Sequence, residues 1–220
     1  MAKMVKASVT GRKVARSSQF GYVYVLTNGA IKDAVKIGNT QQPPTRRAHN
    51  LNTGALEDFE VYGFIRTKWF VEVEGFIKSF LTKFTDLRVN ANREFYRLSP
   101  DMGMKAAEMV ARLAGDYAVI PMEQINRKYP DGEIRVLCGS GANAVLVVFG
   151  GKYYVIGGSR VGSCVPKFSG AYCDLRKKLV KAKMIKSEVF VKDVAFDSLS
   201  AAASVVMGRQ SNGVKEWRPV

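Results

Sequence analysis

Two β-branched and aromatic runs stand close together near the N-terminus, Tyr22-Val-Tyr-Val-Leu26 and Ala34-Val-Lys-Ile-Gly38, with turn chemistry between them in Thr27-Asn-Gly-Ala30. Such a pair folds as an antiparallel hairpin. Pro43-Pro44 then opens a predicted helix through Arg46, Arg47 and Leu51, closed by Asn52-Thr-Gly54, and Phe59 to Arg66 reads as a third strand. From Phe70 to Phe84 the apolar residues Phe70, Val73, Ile77, Phe80, Leu81 and Phe84 recur at helical spacing. A short strand over Glu94 to Leu98 leads into Ser99-Pro-Asp, which starts a helix from Met102 to Leu113 with Gly115 as its stop.

The next stretch, residues 115–132, is mixed in character and holds Pro121 and Pro130-Asp-Gly132, so it reads as a linker. Strand runs follow at Ile134 to Cys138, Ala144 to Phe149 and Lys152 to Ile156, the last two joined by Gly150-Gly151, a strong hairpin signal. Leu175 to Lys186 is a basic helical stretch and Glu188 to Phe196 another strand. An alanine-rich helix then runs from Ser198 to Met207, capped by Ser198 and stopped by Gly208. At 220 residues the chain is long enough for two small domains. The expected division is a basic N-terminal arm (1–19), a first domain (20–114), the linker (115–132) and a second, basic domain (133–220), both domains being α+β.

The formal net charge is +15, and both halves of the chain are net positive. A surface of that sign points to nucleic acid, because neutralising a phosphate backbone releases counterions. No segment approaches the 18 or so consecutive apolar residues of a membrane span. The basic residues Lys3, Lys6, Arg12, Lys13 and Arg16 precede Phe20 without the apolar run of a signal peptide, so the arm reads as cytoplasmic. The three cysteines, Cys138, Cys164 and Cys173, form no CxxC pair, and His49 is the one histidine. Structural zinc and a disulfide framework are therefore not expected.

Tyr22-Val-Tyr24, Lys36-Ile-Gly-Asn-Thr40, Arg47 and Arg93-Glu-Phe-Tyr96 together resemble a GIY-YIG nuclease domain over about residues 20–98. The closer likeness is to the phage and bacterial branch in which KIGxT replaces YIG. The resemblance implies a three-stranded antiparallel sheet flanked by helices, and a divalent metal, Mg²⁺ or Mn²⁺, held by a single glutamate. Position by position, it implies catalytic roles for Tyr24, Lys36 and Arg47, and Glu74 as the metal-binding glutamate. The chain departs from the fuller pattern at histidine: Leu51 and Lys78 stand where relatives place one, and His49 lies on a different helical face from either.

Helical geometry supplies an independent reading of Glu74. Advancing roughly 100° per residue from Phe70, Ile77, Leu81 and Phe84 fall near zero, Glu74 about 40° away and Glu72 about 200° away. Glu74 thus borders the apolar stripe, where a carboxylate loses solvation and needs a cation or hydrogen-bond donors; pairing with a nearby arginine is the other reading. Tyr24 shares a strand face with Tyr22 and Leu26, so core packing competes with chemistry there. Lys36 lies on the opposite face from Val35 and Ile37, either on the surface or in a cleft where its charge stabilises a transferring phosphate. Of the adjacent Arg46 and Arg47 only one can face the sheet; Arg47 suits bidentate phosphate binding, and Arg46 a solvated backbone contact.

In the second half, the Ala201-Ala-Ala-Ser helix, the turn Gly208-Arg-Gln-Ser-Asn-Gly213 and Trp217 resemble an uncharacterised domain found C-terminal to nuclease-related domains. Arg160, Arg176, Lys177, Lys178, Lys181, Lys183, Lys186, Arg209 and Lys215 make it a candidate duplex gripper, with a merely solvated face as the alternative. The expected function is metal-dependent DNA endonuclease, with Arg46, Lys177, Lys178, Lys181, Lys183 and Arg209 contacting DNA. No membrane and no small-molecule cofactor beyond the metal are implied, and a homodimer is compatible with the pattern. The rival reading is a weakly active or inactive nuclease-like protein that binds DNA or a partner.

Overall fold

The structure is a computed structural model that describes residues 20–53, 55–89, 94–115 and 117–220. The basic arm, the helix-stop Gly54, and Asn90 to Arg93 lie outside the described residues.

The predicted hairpin forms from β1 (Gly21–Asn28) and β2 (Val35–Thr40), in a register that sets Tyr24 opposite Gly38 and Leu26 opposite Lys36. α1 (Pro44–Asn52) leads to β3 (Phe59–Thr67), which pairs along the other side of β1. α2 (Phe70–Lys83), β4 (Phe95–Tyr96), α3 (Pro100–Ala114), β5 (Tyr117–Ile120) and α4 (Met122–Lys128) complete this half. The sheet is antiparallel with order β4-β2-β1-β3-β5, five strands rather than the three that the resemblance implies. The two additions cover the edges of β2 and β3, whose backbone groups would otherwise lie unpaired. Part of the expected linker is therefore sheet: Ala118 and Ile120 of β5 bury their side chains, and α4 follows at once.

β1 is buried on both faces. Val23 and Val25 pack with Val35, Ile37 and the inner faces of α2 and α3, whereas Tyr22, Tyr24 and Leu26 pack with Ala48 of α1 and Ile125 of α4. That second core is shared with Ile134, Val136, Val145 and Val147 of the other half, so the two halves pack sheet against sheet. Asp193 reinforces the junction by accepting hydrogen bonds from Lys128, from the Tyr129 hydroxyl (2.8 Å) and from the backbone N–H of Gly157 (2.8 Å).

The second half begins with β6 (Glu133–Gly139), β7 (Ala142–Phe149) and β8 (Lys152–Val155). Gly150 and Gly151 turn β7 into β8 at φ 55° and 73°, the left-handed conformation that a two-residue hairpin requires. The basic helix begins earlier than predicted and is cut short: α5 spans Ala171–Lys181, and Lys183 adopts φ 58° in the turn beyond it. The expected strand over 188–196 is likewise broken, into β10 (Val189–Phe190), paired with β9 (Ile185–Lys186), and β11 (Val194–Phe196). α6 (Leu199–Met207) follows, with Ser198 Oγ accepting from Ala201 N at 3.1 Å and Gly208 closing it in the left-handed region. α7 (Gly213–Glu216) and β12 (Arg218–Pro219) return the chain to β6, giving a sheet of order β11-β8-β7-β6-β12. Among the described residues no helix is long and apolar enough to cross a membrane.

Candidate active site

Strand alternation decides which side chains meet. Val35 and Ile37 turn toward α2 and α3, so Lys36 and Gly38 of β2 share the face that carries Tyr24 on β1. The tyrosine ring lies over β2 so closely that a Cβ on Gly38 would sit 2.5 Å from its hydroxyl oxygen, which gives the glycine of the KIG run a physical reason. α1 crosses above, its first turn set by Pro44. Of its two adjacent arginines Arg46 is exposed, whereas Arg47 is half-buried and its guanidinium comes near enough to the Tyr24 hydroxyl to act on it electrostatically.

Burial pushes the Tyr24 phenol above its ordinary pKa, and the carboxylates of Glu94 and Glu74 add to this against the opposing effect of Arg47. The phenol therefore remains protonated at neutral pH. That proton is available to orient a water or a phosphate oxygen.

Lys36 is held by a residue to which sequence reasoning gave no role. Its Nζ lies 3.3 Å from Glu94 Oε2, and Lys78 of α2 approaches Glu94 Oε1 at 3.2 Å. Burial alone would raise the Glu94 carboxyl, but the two lysines outweigh it and hold the group below the usual carboxylate range. The two-residue pairing of β4 with β2 produces this bridge, setting Phe95 opposite Lys36 and bonding Ile37 N to Glu94 O at 3.2 Å.

Glu74 is only 8% exposed whereas Glu72 is exposed, as the helical angles require. Its Oε2 accepts from Asn39 Nδ2 at 3.2 Å. Burial, then the nearby Glu94, raises its pKa against the pull of Lys78, Asn39 and Lys36. Glu74 is thus the less solvated and less compensated of the two carboxylates, the one to which an added cation would bring most. Beside both lies Tyr96, buried, its hydroxyl without a hydrogen-bond partner among the described residues and its pKa raised by burial. Among the described residues no group of three or more His, Cys, Asp or Glu side chains converges. One buried carboxylate with an orphaned hydroxyl nearby suits a hard, largely hydrated cation and not a multi-ligand zinc cage.

Tyr24, Lys36, Arg47 and Glu74 thus come into one electrostatically connected neighbourhood, to which the structure adds Asn39, Lys78, Glu94 and Tyr96. Of these, Glu94 and Tyr96 were legible only as part of the Arg93-Glu-Phe-Tyr96 run. His49 is exposed and lines a separate groove with Glu60 and Glu123, away from Tyr24.

The basic residues of the second half divide. Lys177, Lys178, Lys181 and Lys183 are exposed on α5 and the turn after it, Lys177 lying 3.6 Å from Asp174. Arg209 pairs with Glu216 at 2.7 Å and Arg160 with Glu188 at 2.9 Å. Arg176 is a correction: it is buried and donates to Val205 O (2.8 Å) and Gly162 O (2.6 Å), so it ties α5 to α6 rather than facing a partner.

Residues 21–111 match the family described as the T5orf172 domain, and residues 136–219 match a domain of unknown function, DUF4357. The two matches fit a nuclease-related fusion. No curated protein and no solved structure matches the chain. The boundary between the two matches falls across β5 and α4, the segment that joins the two sheets.

Proposed function

We propose that the chain is a metal-dependent DNA endonuclease with a GIY-YIG-type catalytic unit and a second domain that grips DNA. The observation that carries the reading is that Tyr24 and the Lys36–Glu94 pair share one sheet face, with the Arg47 guanidinium and the buried carboxylate of Glu74 close enough to act electrostatically on Tyr24. Glu74 would hold Mg²⁺ or Mn²⁺, which when bound supplies Lewis-acid stabilisation of the phosphate and leaving oxygen. Arg47 clamps a phosphate oxygen with its planar fork. Lys36, fixed by Glu94, places positive charge where the transferring phosphate gains negative charge. Tyr24, as a protonated phenol, donates a hydrogen bond to the attacking water's oxygen or to a phosphate oxygen, and so orients rather than deprotonates. On the second domain, Lys177, Lys178, Lys181 and Lys183 meet the DNA backbone, with Arg46 doing so from α1.

Conversion of supercoiled plasmid to nicked or linear form by the purified protein with Mg²⁺ or Mn²⁺, and its absence in EDTA, is the expected result. Binding without cutting would favour a second reading, an inactive DNA-binding protein; the observation on its side is that Lys36 already has a carboxylate partner.

A further inference from the structure

A groove of about 560 Å³ opens beside the candidate site and shares three of its side chains, Lys36, Lys78 and Glu94. Its volume lies within the roughly 300–1,000 Å³ of sites that enclose a small organic group. One wall is charged: among the described lining residues Lys36 and Lys78 stand against one carboxylate, Glu94, a positive excess suited to a phosphate. The floor is aromatic: Phe59 and Phe95 stand 6.0 Å apart between ring centroids, and Lys36 Nζ lies 5.3 Å from the centre of the Phe95 ring. At the rim Leu56 is 93% exposed, an apolar side chain with almost no packing of its own.

Cations beside an aromatic floor, at the edge of a site read as phosphodiester-cleaving, match one nucleotide: phosphate to the lysines, base face to the rings. A base inside a duplex presents only its edges, so its face can reach such a floor only after it leaves the stack, which costs least when it is already unpaired. We propose that this groove receives one unstacked nucleotide of the bound strand next to the cleavage position, so that the protein prefers DNA carrying an unpaired nucleotide. The inference rests on the nuclease reading and specifies its substrate.

The test uses the whole protein in EDTA, so that binding is read without cutting. Fluorescence anisotropy compares a fully paired duplex with the same duplex carrying one bulged nucleotide, and a free deoxynucleoside monophosphate is added as competitor. The bulged DNA should bind about tenfold more tightly, the scale of one base stacked on an aromatic surface. In Leu56→Glu, which adds a negative charge at an exposed rim position without disturbing the core, the two affinities should come within about twofold. Equal affinities in the parent protein, or an unchanged preference in Leu56→Glu, would overturn the groove assignment while leaving endonuclease activity intact. Displacement of the bulged DNA by micromolar free nucleotide would overturn it in favour of a free-nucleotide site. Failure to bind either DNA would remove both this inference and the nuclease reading.

Discussion

Around Tyr24 the first sheet buries a carboxylate and two phenols, one of them without a hydrogen-bond partner among the described residues, beside a partly exposed lysine pair bridged by a second carboxylate. In the second half the buried polar residues Arg176, Ser159 and Ser204 are spent on backbone: Arg176 on two carbonyls, Ser159 Oγ on Val145 N at 3.0 Å, Ser204 Oγ on Ser211 N at 3.0 Å, with Arg135 Nε left as a buried donor without a partner among the described residues. Its lysines on α5 point into solvent. Desolvated charges that compete with one another are costly to fold and are arranged where chemistry needs them, whereas satisfied polar groups serve the fold itself. On the function proposed above, chemistry belongs to the first unit and binding to the outer face of the second.

Substitution of Lys36 tests the first side of this contrast with the largest expected effect. Lys36→Met should lower the rate of metal-dependent cleavage on the order of 10², as for removal of a preorganised electrostatic group, while Lys36→Arg keeps measurable turnover. Steady-state cleavage of a labelled duplex reads both, and parental activity in Lys36→Met would make the lysine a surface charge.

The second side predicts an effect on affinity. Replacing Lys177, Lys178, Lys181 and Lys183 together with glutamine should flatten the slope of log affinity against log salt by up to about 3.6, at about 0.9 for each phosphate no longer neutralised. Cleavage at saturating DNA should persist, and an unchanged slope would leave α5 as a solvated face.

A smaller effect concerns the junction between the halves. Burial pushes Asp193 up, but the Gly157 N–H, Lys128 and Tyr129 outweigh it and hold its carboxyl below the ordinary value. A carboxyl lowered in the folded state contributes stability above its unfolded pKa and loses that contribution as pH falls through the folded value. Asp193→Asn should therefore cost about 1–3 kcal/mol at pH 7, with the gap to the parent narrowing below about pH 4. Urea denaturation at pH 7 and pH 3 measures it; an equal gap at both would show that charge plays no part.

Much of this arrangement follows from local pattern. Gly150-Gly151, the capping serines Ser99 and Ser198, and the stops at Gly115 and Gly208 each state a backbone requirement in a few residues. Glu74 and Glu72 separate by helical angle alone. The residues that complete the site do not, because Lys36 and Glu94 are 58 positions apart and meet only through a strand of two residues. β5 is short as well, four residues before Pro121, and its role depends on the open edge of β3. Periodicity also misled at the end of α2: Phe80 and Phe84 fall on the predicted stripe yet are exposed, since period reports which way a side chain faces and not how far the opposing surface extends.

The central claim is that Glu74 is a cleaving residue and not a structural one. Purified Glu74→Gln, compared with the parent for plasmid cleavage in Mg²⁺ or Mn²⁺ and for DNA affinity in EDTA, tests it most directly. The account predicts cleavage reduced at least about 10³-fold, in line with the removal of an essential catalytic group, with affinity unchanged or slightly improved because one phosphate-repelling charge is gone. Metal-dependent cleavage at the parental rate in Glu74→Gln would contradict it.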